Sequence, residues 1–416
     1  MRLQFHTVAV AVTFLAGGST SSAQPACQVG LYGNSERFTI LTQSDGELHY
    51  SFDDGTVGEM GLTESRVGCD DGSVRIGGES WPRINIRQID VVFEVDGVAL
   101  SGRLIEPPHA GPETPLIVYA HGSERSGWLD SHRDPYQMVG RGVSVFIYDK
   151  RGTGASGGEY SQNVPRLAAD LAAVAAEAKR LSEGRFGRFG LVGLSQGGWV
   201  VTYAAESAGA DFIAVGYGLA VDILEEDAAE VELALCEAGY GPTEIALARR
   251  ITDATALIAT SATEEAVRAL EPLRAEFAGQ PWLAHVQGDF TGLLFNATTD
   301  EILTQIAPYF DSFQIDWSID PVAVIAQVSV PQLWVLAGSD REAPVDITLD
   351  RLQSLQQAGE ELTVMVFPQT DHGMWEFETL EDGTRRHTRI TPGYYDLLVD
   401  WAHGKLAAGY GNAELR

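Results

Sequence analysis

Short alternating runs of apolar and polar residues fill the early part of the chain. Between residues 27 and 78 these runs, such as residues 47–52, are separated by Asp-Gly pairs, which favour tight β-turns. The pattern predicts a small module of β-hairpins. A further hairpin is predicted from residues 89–95 and 98–105, because another Asp-Gly pair lies between them.

From residue 115 onward, buried-strand runs alternate with stretches whose apolar residues recur at helical spacing. The strand runs are residues 116–120, 143–148, 189–192, 212–216, 332–336 and 362–367, and the helical stretches include 166–181, 197–206 and 394–405. Such alternation is typical of a mostly parallel sheet with helices on both faces, so the predicted fold class is α/β. Residues 221–310 interrupt the alternation with an almost wholly helical pattern, which predicts a helical lid inserted into the α/β scaffold.

The first 23 residues have the pattern of a secretory signal peptide. Arg2 precedes an apolar run at residues 8–16, and small residues lead to Ala23, where cleavage is expected. We therefore expect export to the periplasm or the extracellular space; a buried N-terminal strand is the alternative. No later apolar run reaches the length of a membrane span, so none is expected in the mature protein. The remaining chain is predicted to comprise a β-rich module at 24–85, a first core part at 86–220, the lid at 221–310 and a second core part at 311–416.

Acidic residues outnumber basic ones, which narrows the range of partners. The chain has 416 residues, with 28 Lys and Arg against 58 Asp and Glu, and a net charge of −30. A surface this acidic repels phosphate backbones and anionic lipid, so neither nucleic acid nor a membrane surface is expected as a partner. The apolar share of 44% is that of an ordinary globular protein and excludes wholesale disorder.

The three cysteines differ in their surroundings. Cys27 and Cys69 bracket the small β-rich module, and export permits disulfides, so we expect these two residues to be paired. Two unpaired buried thiols are the alternative. Cys236 lies in a helical, acidic stretch and is expected to be a lone buried thiol. No Cys/His spacing indicates a zinc site, and no metal is expected.

Two segments match the G-x-S-x-G pattern of a nucleophile elbow, which places a serine on a sharp turn between a strand and a helix. Ser195, flanked by Gly193 and Gly197, has a strand pattern directly before it and a helix pattern directly after it. Ser156 lies in a glycine-rich loop, with no helical pattern until near Pro165. We therefore interpret Ser195 as the nucleophile and Ser156 as a loop residue.

The same glycine-rich loop, residues 152–157, also fits the dinucleotide-binding pattern G-x-G-x-x-G. A dinucleotide loop opens directly into a helix and is followed about 20 residues later by an acid at a strand end. Here the helix begins late and Asp170 lies inside it. No cofactor is therefore expected.

A serine hydroxyl needs an adjacent base to act as a nucleophile at neutral pH. In this topology the chain order is serine, acid, histidine. Asp340 follows one strand run and His372 lies in the loop after the next, so both are expected at the sheet edge that carries Ser195. We predict that His372 takes the serine proton and that Asp340 orients and stabilises the imidazole. Asp371 is expected to point away and cap the loop.

An oxyanion hole needs two backbone N–H donors aimed at the developing negative charge. The residue after the nucleophile, Gln196, supplies one. The loop after the strand at 116–120 reads His121-Gly122-Ser123, and the Ser123 N–H is the second candidate. Gly122 allows close approach of the backbone, and His121 is expected to brace the loop through hydrogen bonds.

These motifs resemble those of the α/β-hydrolase superfamily. The resemblance rests on residues 121–123, 149–156 and 193–197, on Asp340 with residues 343–345, and on residues 371–373. The Asp-Lys-Arg-Gly-x-Gly-x-Ser loop is similar to that of exported bacterial esterases and peptidase-like hydrolases, which commonly carry a helical lid where residues 221–310 fall. A serine at position 195 argues against the dehalogenases and epoxide hydrolases of this superfamily, which carry aspartate there.

The leading interpretation is a secreted serine hydrolase that cleaves small carboxylic esters through an acyl-enzyme. The alternative enzyme is a serine peptidase of the prolyl-oligopeptidase or aminopeptidase type, in which acidic lid residues at 225–232 would hold a substrate amine. A non-catalytic binding module is the third interpretation. The lid aromatics Trp282, Phe290, Phe295 and Tyr309 are expected to line an apolar acyl pocket, or else to hold the lid's own helices together.

Overall fold

The computed structural model describes residues 27–34, 36–44, 46–61, 66–70 and 72–416. The predicted signal peptide lies outside these residues. Within these residues, every helix is too short or too polar to span a bilayer.

The strands form four sheets within the described residues. In chain order they are β1 (Gly30–Gly33), β2 (Phe38–Ser44), β3 (Glu47–Phe52), β4 (Val57–Glu59), β5 (Val67–Asp70), β6 (Ser73–Ile76), β7 (Glu79–Pro82), β8 (Arg87–Val95), β9 (Val98–Glu106), β10 (Leu116–Ala120), β11 (Ser144–Tyr148), β12 (Phe189–Leu194), β13 (Phe212–Gly216), β14 (Gln332–Ala337), β15 (Leu362–Phe367), β16 (Thr370–Asp371), β17 (Trp375–Thr379), β18 (Arg385–Ile390) and β19 (Glu414–Leu415). Three small sheets comprise β1–β4, β5–β7 and β16–β18, and the remaining strands form the central sheet.

The central sheet has the strand order β19-β15-β14-β13-β12-β10-β11-β9-β8. Strands β10–β15 are mutually parallel, whereas the β8–β9 hairpin and β19 pair antiparallel at the two edges. These six parallel strands are the six buried runs that the sequence predicts, with small shifts at their ends. Because the strands are parallel, the loops after β10, β12, β14 and β15 gather at one edge of the sheet.

The α-helices follow the strands or belong to the insertion. They are α1 (Asp134–Gly140), α2 (Val164–Leu181), α3 (Gly197–Ala204), α4 (Ile223–Glu237), α5 (Pro242–Ser261), α6 (Glu264–Arg268), α7 (Leu270–Phe277), α8 (Thr291–Asn296), α9 (Thr299–Glu301), α10 (Ala307–Ser312), α11 (Pro321–Ile325), α12 (Val345–Ala358) and α13 (Tyr394–Ala402). A 3₁₀ turn covers Pro281–His285, a π-helical turn covers Ile302–Ile306, and a second 3₁₀ turn covers His372–Met374.

Alternate residues of each central strand enter different cores. In β10, Leu116 and Val118 pack in the core that also holds apolar residues of α2, α3 and α12. Ile117 and Tyr119 pack on the opposite face, in the core shared with α1 and α13. Successive residues of a strand point to opposite faces of the sheet, and helices cover both faces here. Every residue of β10 is therefore buried, which explains the continuous apolar run in its sequence.

Helices α4–α10 form the helical insertion, and they begin directly after the loop that follows β13. Asp222 starts α4 with a capping box, in which its side chain accepts from the Glu225 N–H while the Glu225 carboxylate accepts from the Asp222 N–H. The insertion has a core of its own, built from buried residues of these helices together with a few residues of the scaffold. This architecture confirms the predicted α/β-hydrolase fold with a helical insertion.

The N-terminal β-rich module packs on helix α1. Gln137 Nε2 donates to the Ser51 hydroxyl and to the Phe52 carbonyl at 3.0 and 2.8 Å. Phe38 packs over Gly140, where a Cβ would lie 2.6 Å from the phenyl ring, so any larger residue at this position would force the buried ring to shift. The module is therefore fastened to the α/β core by its first sheet.

The structure joins Cys27 to Cys69 in a disulfide, as the sequence predicts. The prediction for Cys236 is wrong, because this free cysteine is exposed at the C-terminal end of α4. The apolar residues of α4 that do face the insertion core include Val231 and Leu235. Cys236 follows Leu235 by one residue, which turns it away from that core.

Candidate active site

Ser195 lies on a sharp turn between β12 and α3. Its φ of 53° is in the left-handed region, which non-glycine residues rarely adopt. Gly193 and Gly197 make the turn sterically possible: a Cβ on Gly193 would lie 2.1 Å from the Gly197 carbonyl oxygen, and one on Gly197 2.4 Å from the Ala120 carbonyl oxygen. The backbone thus holds a serine above the carboxyl edge of the sheet, as an elbow of this kind requires.

His372 and Asp340 meet at the same edge of the sheet. His372 Nδ1 lies 2.9 Å from Asp340 Oδ2, while Asp340 Oδ1 accepts the N–H groups of Glu342 and Ala343, both at 2.9 Å. Asp340 is only 3% exposed. A carboxylate with both oxygens engaged is fixed in place, so it can hold the imidazole in one orientation with Nε2 free for proton transfer.

One cavity of about 1000 Å³ contains Ser195 and His372 together with the loop that carries Gly122 and Ser123. No hydrogen bond joins the Ser195 hydroxyl to the His372 imidazole in the described part of the chain. Catalytic hydrogen bonds of this type are often long in the absence of substrate and tighten when it binds. The serine and the histidine predicted from chain order therefore line one cavity, and Asp340 contacts that histidine.

The loop after β10 runs close beside the elbow. A Cβ on Gly122 would lie 3.5 Å from the Cβ of Ser195. His121 is buried and braces the loop as predicted, because its ring nitrogens contact the Glu124 carboxylate and the Tyr148 carbonyl oxygen. Burial raises the pKa of the Glu124 carboxyl, but the hydrogen bond with His121 and the Lys150 charge outweigh it, so Glu124 remains an anion.

Polar and charged groups dominate the cavity wall, contrary to the prediction of an apolar acyl pocket. Of the four lid aromatics named from the sequence, Tyr309 lines the cavity, with Phe313 beside it at a ring distance of 4.5 Å. Trp282, Phe290 and Phe295 instead lie in the insertion's own core. Helical spacing indicates which aromatic residues are buried, but it does not indicate whether they line the cavity or pack against other helices of the insertion.

Glu342 is a cavity residue that the sequence did not indicate. Its Oε2 lies 3.9 Å from His372 Nε2, the nitrogen that does not face Asp340. Burial lowers the pKa of His372, but the charges of Asp340 and Glu342 and the hydrogen bond to Asp340 outweigh it and raise this pKa above the ordinary 6.5. Tyr217 packs edge-on against the imidazole at 4.9 Å.

Ser156 is a loop residue with a structural role, as the sequence predicts. Its hydroxyl donates to the Asp149 carbonyl at 2.5 Å and accepts the Ser101 N–H at 2.9 Å. The loop wraps around the Asp149 side chain, which accepts the N–H groups of Trp128 and Ala155. This loop therefore serves to tie β11 to its neighbours, and α2 begins only at Val164.

Residues 117–382 match the model of a family described as the alpha/beta hydrolase family. The chain belongs to the alpha/beta hydrolase family. The match includes the elbow at Ser195, Asp340 and His372, and it excludes the N-terminal β-rich module. No protein of curated function matches the sequence of this hydrolase.

Several solved structures are similar to this hydrolase at low sequence identity. An acylaminoacyl peptidase from Pyrococcus horikoshii is 15% identical with a TM-score of 0.48, over 89% of this chain and 56% of the peptidase. An esterase from Pyrococcus furiosus is 15% identical with a TM-score of 0.43, over 70% of this chain and 84% of the esterase. This hydrolase thus spans little more than half of the peptidase's length, and the substrates of these proteins say nothing about its own.

Proposed function

We propose that this protein is a serine hydrolase that cleaves carboxylic esters through an acyl-enzyme intermediate. The observation that carries the proposal is the buried Asp340 carboxylate 2.9 Å from His372 Nδ1, in the cavity edged by the strained turn at Ser195. A serine on such a turn, in one cavity with an oriented imidazole, has the parts that acyl transfer needs.

In the first half of the reaction, Ser195 Oγ attacks the ester carbonyl carbon while His372 Nε2 takes the hydroxyl proton. The carbonyl π electrons move to the oxygen, and the N–H groups of Ser123 and Gln196 stabilise the resulting oxyanion. The tetrahedral intermediate then collapses, and the alcohol leaves with the proton that His372 returns. Asp340 accepts a hydrogen bond from Nδ1–H throughout and stabilises the imidazolium.

In the second half, a water molecule takes the place of the alcohol. His372 removes its proton as it attacks the acyl carbon, and the second tetrahedral intermediate expels Ser195, which recovers its proton from His372. The acid is released and the enzyme returns to its starting state. The reaction needs His372 to be neutral when each attack begins, so activity depends on its pKa.

The Glu342→Gln variant should therefore work at lower pH than the parent enzyme. His372 has a pKa raised in part by Glu342, so kcat/KM falls as pH drops through that raised value, which protonates the base. Removing the Glu342 charge lowers the pKa of His372 and should move the midpoint of the acid limb to lower pH. Glu381→Gln, which neutralises an exposed carboxylate in the turn of the β17–β18 hairpin, is the control and should leave the midpoint in place. Equal midpoints in all three proteins would contradict the role of Glu342.

Two lid aromatics should respond differently to truncation. Tyr309→Ala should change the ratio of kcat/KM values among p-nitrophenyl esters of different acyl length, because Tyr309 lines the cavity. Trp282→Ala should leave that ratio unchanged but lower the free energy of unfolding by about 3–5 kcal/mol, because Trp282 is 3% exposed and packs on Phe277 in the insertion core. If Trp282→Ala alters acyl preference more than Tyr309→Ala does, the assignment of the cavity wall is wrong.

A peptidase that binds a free amino group is the second candidate. Glu226, Glu230 and Asp289 of the insertion offer carboxylate oxygens within 4.8 Å of one another. Burial, with the neighbouring carboxylates, raises the pKa of Glu230 to about 10. Burial also raises the pKa of Glu226, and His372 is close enough to lower it in part, so this group lies within electrostatic reach of the candidate base. A protonated amine placed there would offset the mutual repulsion of the carboxylates.

A substrate panel separates the two candidates. We expect p-nitrophenyl esters to be hydrolysed with a higher kcat/KM than p-nitroanilides of amino acids. Faster cleavage of anilides with a free amino group, together with loss of that preference on N-acetylation and in Glu226→Gln, would replace the esterase with the aminopeptidase. Activity on neither class would remove the support for both.

A further inference from the structure

The segment after β11, residues 149–163, contacts the loop after β10, residues 121–125, which is called the oxyanion loop below. Lys150, which is 1% exposed, donates from Nζ to the Gly122 carbonyl oxygen at 2.5 Å. Tyr160 donates its hydroxyl to the Ser123 carbonyl oxygen at 2.5 Å, and Gln162 Nε2 donates to the Tyr160 hydroxyl at 2.9 Å. Two successive carbonyl groups of the oxyanion loop are thus fixed by side chains that follow β11.

The contact made by Lys150 has a chemical consequence for Ser123. The Gly122 carbonyl and the Ser123 N–H are the two ends of one peptide unit. A hydrogen bond to the oxygen of a peptide polarises the whole unit and makes its N–H a stronger donor, and a charged donor does so more than a neutral one. In the described part of the chain, the Ser123 N–H has no hydrogen-bond acceptor, and Ser123 lines the cavity, so this donor is available to a bound substrate.

We propose that Lys150 is a positioning residue of the oxyanion hole, whose buried ammonium polarises the Gly122–Ser123 peptide toward the developing oxyanion. The inference rests on the proposed serine hydrolase function. It concerns the step in which Ser195 Oγ bonds to the carbonyl carbon, the carbonyl π electrons become the oxyanion lone pair, and the hydroxyl proton passes to His372. Lys150 contacts neither the substrate nor the transferred proton, and it acts only through the peptide.

The surroundings of Lys150 give this effect a pH dependence. The groups that face its ammonium are Glu124 and Arg125 of the oxyanion loop and the Tyr160 ring, whose centroid lies 5.1 Å from Nζ. Burial lowers the pKa of Lys150 to about 8; Glu124 opposes the shift and Arg125 adds to it. Lys150 is therefore charged at neutral pH and loses its charge as pH rises through about 8, which should weaken the Ser123 donor.

The test compares Lys150→Met with Lys179→Met. Lys179 is a matched control, since it also donates to backbone carbonyls and lies over an aromatic ring, that of Phe189, but the carbonyls are those of Ala208 and Gly209, away from the oxyanion loop. We expect Lys150→Met to lower kcat for a p-nitrophenyl ester by roughly ten- to a hundred-fold with little change in KM, because a weakened donor affects the transition state. Lys179→Met should keep the parent kcat.

A second readout separates polarisation from a merely structural role. A trifluoromethyl ketone adds to the nucleophilic serine as a tetrahedral adduct with an anionic oxygen, so its inhibition constant reports on the oxyanion hole. We expect Lys150→Met to raise the inhibition constant by the same factor by which it lowers kcat. We also expect kcat/KM of the parent enzyme to fall above pH 8, and kcat/KM of Lys150→Met to show no such fall. Unchanged inhibitor affinity, or an alkaline limb that persists in Lys150→Met, would overturn the proposal.

The parent enzyme alone also tests the proposal, should Lys150→Met fail to fold. In protein labelled with ¹³C-lysine, the Lys150 Cε signal should titrate at the same pH at which kcat/KM falls. Titration of Lys150 without a change in kcat/KM would overturn the proposal. Ser195→Ala separates the proposed function from the role of Lys150. If Ser195→Ala keeps its turnover, the proposed function fails. If Ser195→Ala loses turnover while Lys150→Met keeps the parent kcat, only the role of Lys150 is removed.

Discussion

Replacing Ser195 with alanine should lower kcat for a p-nitrophenyl ester by about a million-fold, because the loss of the nucleophile leaves only binding and oxyanion effects. The fold should survive, since the strain at this turn is accommodated by Gly193 and Gly197 and not by the hydroxyl. The measurement is steady-state turnover, with the melting temperature recorded for the same preparation.

Ser156→Ala is the matched control for that substitution. Ser156 lies in the second G-x-S-x-G segment, and its hydroxyl bonds to the backbone of Asp149 and Ser101. We expect this variant to lose some stability and to keep its turnover within a small factor of the parent value. Near-normal turnover in Ser195→Ala, with loss in Ser156→Ala, would reverse the assignment of the nucleophile.

Asp340→Asn should lower kcat by roughly ten-thousand-fold with little change in KM. The amide keeps the volume of the carboxylate, and its oxygen can still accept the N–H groups of Glu342 and Ala343. Its –NH₂ group would then face His372 Nδ1, where it cannot accept the N–H of the imidazole. The imidazole would adopt the other tautomer, with its proton on Nε2, and could no longer take a proton from serine.

The control is Asp371→Asn, which neutralises the other carboxylate beside the same histidine. Asp371 accepts the backbone N–H of His372 at 3.0 Å and pairs with Arg385 at 2.8 Å, but it does not contact the His372 ring nitrogens. Its pKa is lowered despite burial, by that N–H and by Arg385, so the change should cost stability and reduce kcat less than tenfold. Equal losses of kcat in both variants would mean that Asp340 has no special role.

The parts of the site that depend on local backbone sterics could be predicted from the sequence. Gly193 and Gly197 are needed wherever a strand turns sharply into a helix, so the pattern around Ser195 is readable without a structure. The parallel strands then determine that Asp340 and His372 reach the same edge. The structure then shows the contact between them, at 2.9 Å.

Features that depend on how separate segments pack could not be predicted in the same way. Glu342 approaches His372 because the loop after β14 lines the cavity, and no residue pattern encodes the course of that loop. The surroundings of the lid aromatics could not be predicted for the same reason. Tyr309 lines the cavity, whereas Trp282 packs among the helices of the insertion. Lys150 stands in a recognisable motif, but its contact with Gly122 joins two loops that are 28 residues apart.

Labelling with a fluorophosphonate probe, followed by peptide mass spectrometry, measures directly whether Ser195 is the activated nucleophile. A phosphonyl group should be found on the peptide that contains Ser195, with fragmentation placing it on that serine. The adduct should be absent in Ser195→Ala and present in Ser156→Ala. Failure of the folded parent protein to react, or an adduct on any other residue, would contradict the proposal that this alpha/beta hydrolase acts through Ser195.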